Sequence, residues 1–222
     1  MSTSGIDSWI GDYYQSIPSE ERHSFCLGQM CWAPIPYIPP CDPLSILDIQ
    51  EYNPLDESRI SFRIVPATKN IFRDRHVPIK ALEWQTDEEI IPLKAKRRPV
   101  IVVSQEQHTV EAARTPDRLV TYLVTPIYSA ASHDPAFVTR IKHLEYSQFF
   151  HLAEDSRFNR REAFARLDRI QPAHRTLMEP MAVRLSDSAW MLLKAWISYY
   201  LTGDLDEYIA GIRNELLKEF YS

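Results

Sequence analysis

Apolar side chains at Ile6, Trp9, Ile10, Tyr13, Tyr14 and Ile17 recur at the i, i+3, i+4, i+7 spacing of an amphipathic helix. The spacing predicts a helix over 6–17, with Ser4 and Asp7 near its start as caps and Pro18 closing it. The run SFCLGQMCWAPI (24–35) reads as a strand. Residues 34–43 hold Pro34, Pro36, Pro39, Pro40 and Pro43. Proline lacks the ladder donor, so this segment is expected to be an extended connector rather than part of a sheet interior. Residues 44–58 read as acidic and turn-rich, and 67–97 as mixed, with Asp87, Glu88 and Glu89 ahead of a basic cluster. Between them RISFRIVP (59–66) alternates with period two and predicts a half-buried strand.

Two continuous β-branched runs, PVIVVS (99–104) and LVTYLVTPI (119–127), predict central strands buried on both faces, separated by a polar loop with Pro116. AFVTRIKHL (136–144) offers a third strand, and 145–158 reads as helical or irregular. Short strands are expected within 162–170 and 174–178, split by Pro172. Proline is absent after Pro180, where helices belong. One is predicted over 189–201, with Ser186 or Ser188 as N-cap and Gly203 as stop. A second opens at Asp204, with Glu207 in a capping-box position. Leu205, Tyr208, Ile209, Ile212, Leu216 and Phe220 form its apolar stripe. Strands in the middle and helices at the ends predict an α+β domain with a small antiparallel barrel or sheet.

Composition narrows the function classes. The 222 residues include only five glycines, none clustered. A P-loop or dinucleotide fingerprint needs clustered glycines for close backbone approach to phosphate, so these cofactors are excluded and no cofactor is expected. The net charge of −5 argues against a generally basic surface but leaves room for one basic groove. No apolar run approaches the roughly 18–20 residues that cross a bilayer. Residues 1–7 lack the basic and apolar regions of a signal peptide, so a cytoplasmic protein is expected, with no membrane association. Cys26, Cys31 and Cys41 read as free thiols; with His23 they form no C-x-x-C pair, so no metal is expected.

LGQMCWAPI (27–35), KRRPVIVVS (96–104), YLVTPIYS (122–129), FARLDRIQP (164–172) and RLSDSAWMLLKAWI (184–197) occur in that order. Together they resemble the MazF/PemK-type toxin family, whose fold is a small SH3-like antiparallel β-barrel related to that of CcdB. The resemblance covers 24–36 and 96–200. It implies a barrel domain over 23–202, interrupted by an insertion at 37–95 and flanked by an N-terminal helix over 1–22 and a C-terminal helix over 203–222, none of which three the resemblance covers. It also implies a metal-independent endoribonuclease of single-stranded RNA. In that chemistry the 2′-hydroxyl attacks the phosphate, leaving a cyclic phosphate and a 5′-hydroxyl. Arg98 matches the family arginine before the strand proline, where a guanidinium fork suits a phosphate gaining charge. Tyr128 stands at the place of the family threonine, with Ser129 beside it, so Arg98, Tyr128 and Ser129 are the implied catalytic set.

Residues 157–184 form the most basic stretch, opposed only by Glu162, Asp168 and Glu179. Arg166, Arg169, His174 and Arg175, with Lys96 and Arg97, are candidates to bind RNA phosphates or an acidic protein partner. His174 reads either as a general acid or base or as a structural histidine. Trp9, Tyr13 and Tyr14 read either as base-stacking rings or as a packing face. The loop before Arg98, EEIIPLKAKRRP, lacks the glycine and glutamine of the family. That departure supports a second reading, a catalytically silent barrel serving as an interaction or regulatory subunit, such as an inhibitor or anti-sigma-type adaptor in a CRISPR-linked or other phage-defence system, with an antitoxin or defence-system subunit as its partner. A CcdB-like topoisomerase poison is a third, since fold alone does not fix function. Family members are commonly homodimers.

Overall fold

The computed structural model describes residues 5–37, 45–52, 60–66, 91–105, 107–108 and 120–222. Ser4, Pro39, Pro40, Cys41, Pro43, the turn-rich residues 53–58, the acidic cluster at 87–89 and the Pro116 loop lie outside the described residues. The chain divides into two compact units, Met1–Ile35 with Arg97–Ser222, and Pro36–Lys96.

In chain order, α1 (Asp7–Ile10) and β1 (Tyr14–Ser16) precede β2 (Gln29–Tyr37), β3 (Ser45–Tyr52) and β4 (Ile60–Pro66). Then come β5 (Lys94–Val102), β6 (Gln107–His108), β7 (Val120–Ser129), α2 (Pro135–Lys142) and β8 (Phe149–Leu152). β9 (Ala163–Arg166), β10 (Gln171–His174), β11 (Glu179–Leu185), α3 (Asp187–Thr202) and α4 (Glu207–Tyr221) complete the fold. The expected α+β class holds: the main sheet runs β1-β11-β2-β5-β7-β9-β8, with β6 and β10 also on β7, and curls into an antiparallel half-barrel. In the smaller unit β3 and β4 form a two-stranded sheet, with Asp48 paired to Arg63 at 3.0 Å across the ladder.

Both faces of the main sheet are covered. Val100 and Val102 of β5 enter one apolar cluster with Cys31, Ala33, Tyr122 and Val124. Ile101, one residue out of phase, enters the other with Met30, Ile127, Phe150 and the inner faces of α3 and α4. A strand packed on both sides carries no polar alternation, which is why PVIVVS reads as an unbroken apolar run. Trp196 of α3 is fully buried, and its indole N–H donates to the Phe149 carbonyl at 2.9 Å, pinning α3 to β8.

Several expectations are corrected. The helix expected over 6–17 is a single turn. Gly11, at φ 68°, ends it, and the chain turns into β1, whose Tyr14 pairs with Leu185. Residues 34–37 are not a connector: Pro34 and Pro36 lie inside β2 as exposed positions. They are tolerated because the β11 ladder on β2 covers only Gln29 to Trp32. Residues 45–52, expected as turn-rich, form β3; Asp48 obscures the pattern but is an ion-paired ladder position. Of residues 136–144, expected as a strand, 136–142 belong to α2, and His143 is its C-cap. Its N-cap is Asp134, whose carboxylate accepts from the Ala136 N–H at 2.9 Å, and Pro135 follows at the first helical position. Within 145–158 lies β8, and 175–177 is a 3-10 turn rather than a strand. Pro172 sits inside β10 opposite Leu123 rather than between two strands. Ser186 is the N-cap of α3 and Gly203 its C-cap, as expected. The cap of α4 is Asp206, not Asp204.

Candidate functional site

The register of β5 on β7 pairs Val100 with Pro126. Two residues further along each strand stand Arg98 and Tyr128, and the Arg98 guanidinium lies 4.4 Å from the Tyr128 ring centre. Tyr128 pairs in turn with Phe164 of β9, their rings nearly parallel and 6.2 Å apart. Arg166, on the same face of β9, places its guanidinium 5.3 Å from the Tyr128 ring and 5.7 Å from that of Phe149. One tyrosine therefore collects two cations. Such contacts fix the guanidinium plane, and a guanidinium fork matches phosphate oxygens. Asp168 holds the second cation in a bidentate ion pair, accepting from Arg166 Nε at 3.0 Å and from one Nη as well, and this hydrogen bonding raises the Arg166 pKa.

Of the stack, Arg98 alone also lines a cleft of about 540 Å³. Its wall includes Arg98, Trp32, Ser129, Arg160, Arg161 and Glu162. Ser129 ends β7, and its hydroxyl accepts from the Ala131 N–H at 3.3 Å, capping a 3-10 turn. Arg160 donates through Nε to the Phe158 carbonyl at 3.1 Å, which holds the loop before β9 against the cleft.

Glu162 brings in residues that the sequence reading missed. Its Oε1 is ion-paired with Lys142 at the end of α2 and lies 3.2 Å from Nε2 of the buried His151 on β8. The other ring nitrogen of His151 lies 2.8 Å from Asp7 Oδ1, which also accepts from the Tyr13 hydroxyl at 2.8 Å. Burial pushes the Glu162 carboxyl up, but hydrogen bonding and charge from Lys142, then His151, bring it below its ordinary value. Burial likewise opposes ionisation of Asp7, yet hydrogen bonding and charge from His151 outweigh it and lower its pKa. Tyr13 is pushed well above the usual phenol value by burial and by the Asp7 charge. Glu162 lies just ahead of β9 in a stretch notable for its arginines, and nothing in the spacing ties it to Asp7, Lys142 and His151.

The other expected residues spread apart. Arg97 is ion-paired with Glu179 and lies 4.6 Å from the Trp32 ring centre. Lys96 belongs to the smaller unit, with its ammonium 5.5 Å from the Tyr37 ring centre. Arg169 lies 3.7 Å from Asp168. His174 pairs with Thr121, seven residues along β7 from Tyr128, or roughly 23 Å of extended strand. Its Nδ1 is 2.7 Å from the Thr176 hydroxyl. Arg175 reaches the His23 carbonyl at 3.4 Å and lies over Phe25. Within the basic stretch Arg157 is spent on Asp12 and Asp155, and Arg184 lies 3.6 Å from Asp187. Of the candidates, Arg98, Tyr128 and Arg166 come together on one ring, and Ser129 shares only the cleft lining with Arg98. Tyr13 and Tyr14 are buried packing residues rather than exposed stacking rings, while Trp9 is partly exposed.

Cys26 and Cys31 are free, and burial pushes the Cys31 thiol up to about 12, which keeps it unreactive. Among the described residues no three His, Cys, Asp or Glu side chains are grouped to hold a metal ion. None of the described helices is long and apolar enough to cross a membrane. The chain matches no protein-family model, no curated protein and no solved structure.

Proposed function

We propose that this chain is a MazF/PemK-like barrel that binds single-stranded RNA at the Arg98–Tyr128–Arg166 stack and cleaves it at the adjoining cleft without a metal. The observation that carries the reading is the pair of guanidinia gathered on the Tyr128 ring, one of which, Arg98, also lines a cleft with Ser129 and Glu162. In this chemistry the 2′-hydroxyl loses its proton to a base and its oxygen attacks the adjacent phosphorus. The P–O5′ bond breaks, the leaving oxygen takes a proton, and a 2′,3′-cyclic phosphate and a 5′-hydroxyl result. Arg98 and Arg166 hold the phosphate oxygens as charge accumulates on them. Glu162, on the cleft wall, receives the 2′-hydroxyl proton, and Tyr128, beneath the Arg98 guanidinium, supplies the O–H that protonates the leaving oxygen. The test is incubation of the full chain with varied single-stranded RNAs in EDTA. Products with cyclic phosphate ends, lost in Arg98→Ala, support the reading; intact RNA in every case rejects it.

A second reading, a barrel that binds a regulatory protein without cleaving RNA, has its own observations. Ser129 is committed to capping and Glu162 is held ionised by Lys142 and His151, which makes it a weak base. Recovery of a stoichiometric protein partner, together with absent RNA cleavage, would favour that reading over the first.

A further inference from the structure

Outside the stack, the fold holds a charge array around a buried histidine, and the proton count of that histidine follows from its geometry. His151 is 1% exposed and offers one ring nitrogen to each of two carboxylates, Asp7 Oδ1 at 2.8 Å and Glu162 Oε1 at 3.2 Å. An ionised carboxylate only accepts hydrogen bonds, and a neutral imidazole has a single N–H. Each carboxylate oxygen touching the ring already receives a second donor, the Tyr13 hydroxyl on Asp7 and the Lys142 ammonium on Glu162. Both oxygens are therefore acceptors, and both ring nitrogens must donate. We infer that His151 is a cationic bridge, protonated on both ring nitrogens, which positions the Glu162 carboxylate on the wall of the cleft.

The groups facing the bridge come from every element packed on it. Asp7 is on α1, Tyr13 lies just before β1 with its ring edge-on to the imidazole, and Lys142 ends α2. Glu162 leads into β9 and pairs with the bridge from the cleft side. Two carboxylates against one imidazolium and one ammonium leave the array charge-balanced, the condition under which the buried imidazolium is tolerated. The Ile6 N–H donates to the Lys142 carbonyl at 2.9 Å, so the same array also fastens α1 to α2. The inference gives the cleft a fixed, oriented carboxylate whose charge state depends on a residue that does not touch the cleft. Its consequence for catalysis rests on the RNA reading above; the proton count of His151 does not.

The test uses the full chain labelled with nitrogen-15 in its histidines. At neutral pH the ring spectrum of His151 is expected to show a proton on each nitrogen, and one bare nitrogen overturns the bridge. On acidification through the Glu162 titration, the His151 Nε2–H signal is expected to shift in step with the Glu162 carboxyl carbon; independent behaviour overturns the positioning role. In His151→Gln, which retains polarity but loses the charge, the Glu162 titration is expected to move to higher pH, and an unchanged titration also overturns that role. None of these readouts needs RNA. A chain that cleaves no RNA but passes them rejects the proposed function and leaves the bridge standing.

Discussion

The Arg98 guanidinium lies 4.4 Å from the centre of the Tyr128 ring, and Arg166 shares the same ring at 5.3 Å. Each contact is of the cation–π kind, worth about 0.5–2 kcal/mol according to its burial. Tyr128→Leu removes the π face, and RNA affinity at low salt is expected to fall roughly two- to thirty-fold. Tyr128→Phe keeps the face and is expected to bind nearly as well while cleaving poorly, because it lacks the proton donor. Fluorescence anisotropy separates the two, and equal affinity for wild type and Tyr128→Leu contradicts the stack.

The array around His151 gives the fold a defined acid limb. Asp7 and Glu162 both have lowered pKa values in the folded protein. Such a carboxyl contributes stability that is fully present above its unfolded pKa and is lost as pH falls through the folded one. Their contribution is thus expected to be constant from neutral pH to about 5 and to decline below about 4. Urea unfolding across that range tests it: Asp7→Asn should lower stability at neutral pH and flatten the acid slope. A slope identical to that of wild type contradicts the pairing.

Trp196 joins α3 to β8 through a fully buried indole and its hydrogen bond to the Phe149 carbonyl. Trp196→Ala is expected to cost about 3–5 kcal/mol, from lost apolar burial and the cavity left behind. Trp196→Phe keeps most of the volume but leaves the carbonyl without its donor, and about 1–3 kcal/mol is expected. Denaturant midpoints rank the two; equal loss would mean that the hydrogen bond dominates the packing.

Two glycines in the C-terminal helices should respond in opposite directions to the same substitution. Gly203 caps α3 at φ 80°, with open space where a Cβ would stand. Gly203→Ala therefore meets backbone strain alone, about 1–2 kcal/mol of destabilisation. Gly211 lies inside α4, also with open space at its Cβ, so Gly211→Ala is expected to stabilise by about 0.8–1 kcal/mol through helix propensity. Thermal melts moving in the same direction for both would contradict these backbone assignments.

What the sequence made legible tracks how locally each feature is encoded. Val100, Ile101 and Val102 read as a central strand because burial on both faces leaves a continuous run. Ser186 and Gly203 mark α3 because capping uses residues within one turn of the helix ends. Val138 and Ile141, β-branched within α2, pointed to a strand, while the overriding signal was the Asp134–Pro135 pair just ahead of them. At the N-terminus the apolar spacing from Ile6 to Ile17 is shared by a helix turn and a following strand that bury all of these side chains except Trp9, and Gly11 ends the helix. Arg98 and Tyr128 were legible through the order of strand motifs. Glu162 was not, because its partners Asp7, Lys142 and His151 come from three separate elements that only the folded sheet brings together.

The central claim is that the Arg98 stack and its cleft act on RNA. The most direct measurement is cleavage of a panel of single-stranded RNAs by the purified full chain in EDTA, with wild type, Arg98→Lys and Arg98→Ala side by side. The account predicts cyclic phosphate products from wild type, a marked loss in Arg98→Lys because a point charge replaces a planar fork, and none in Arg98→Ala. Intact RNA with the wild-type chain, or undiminished cleavage by Arg98→Ala, would contradict it.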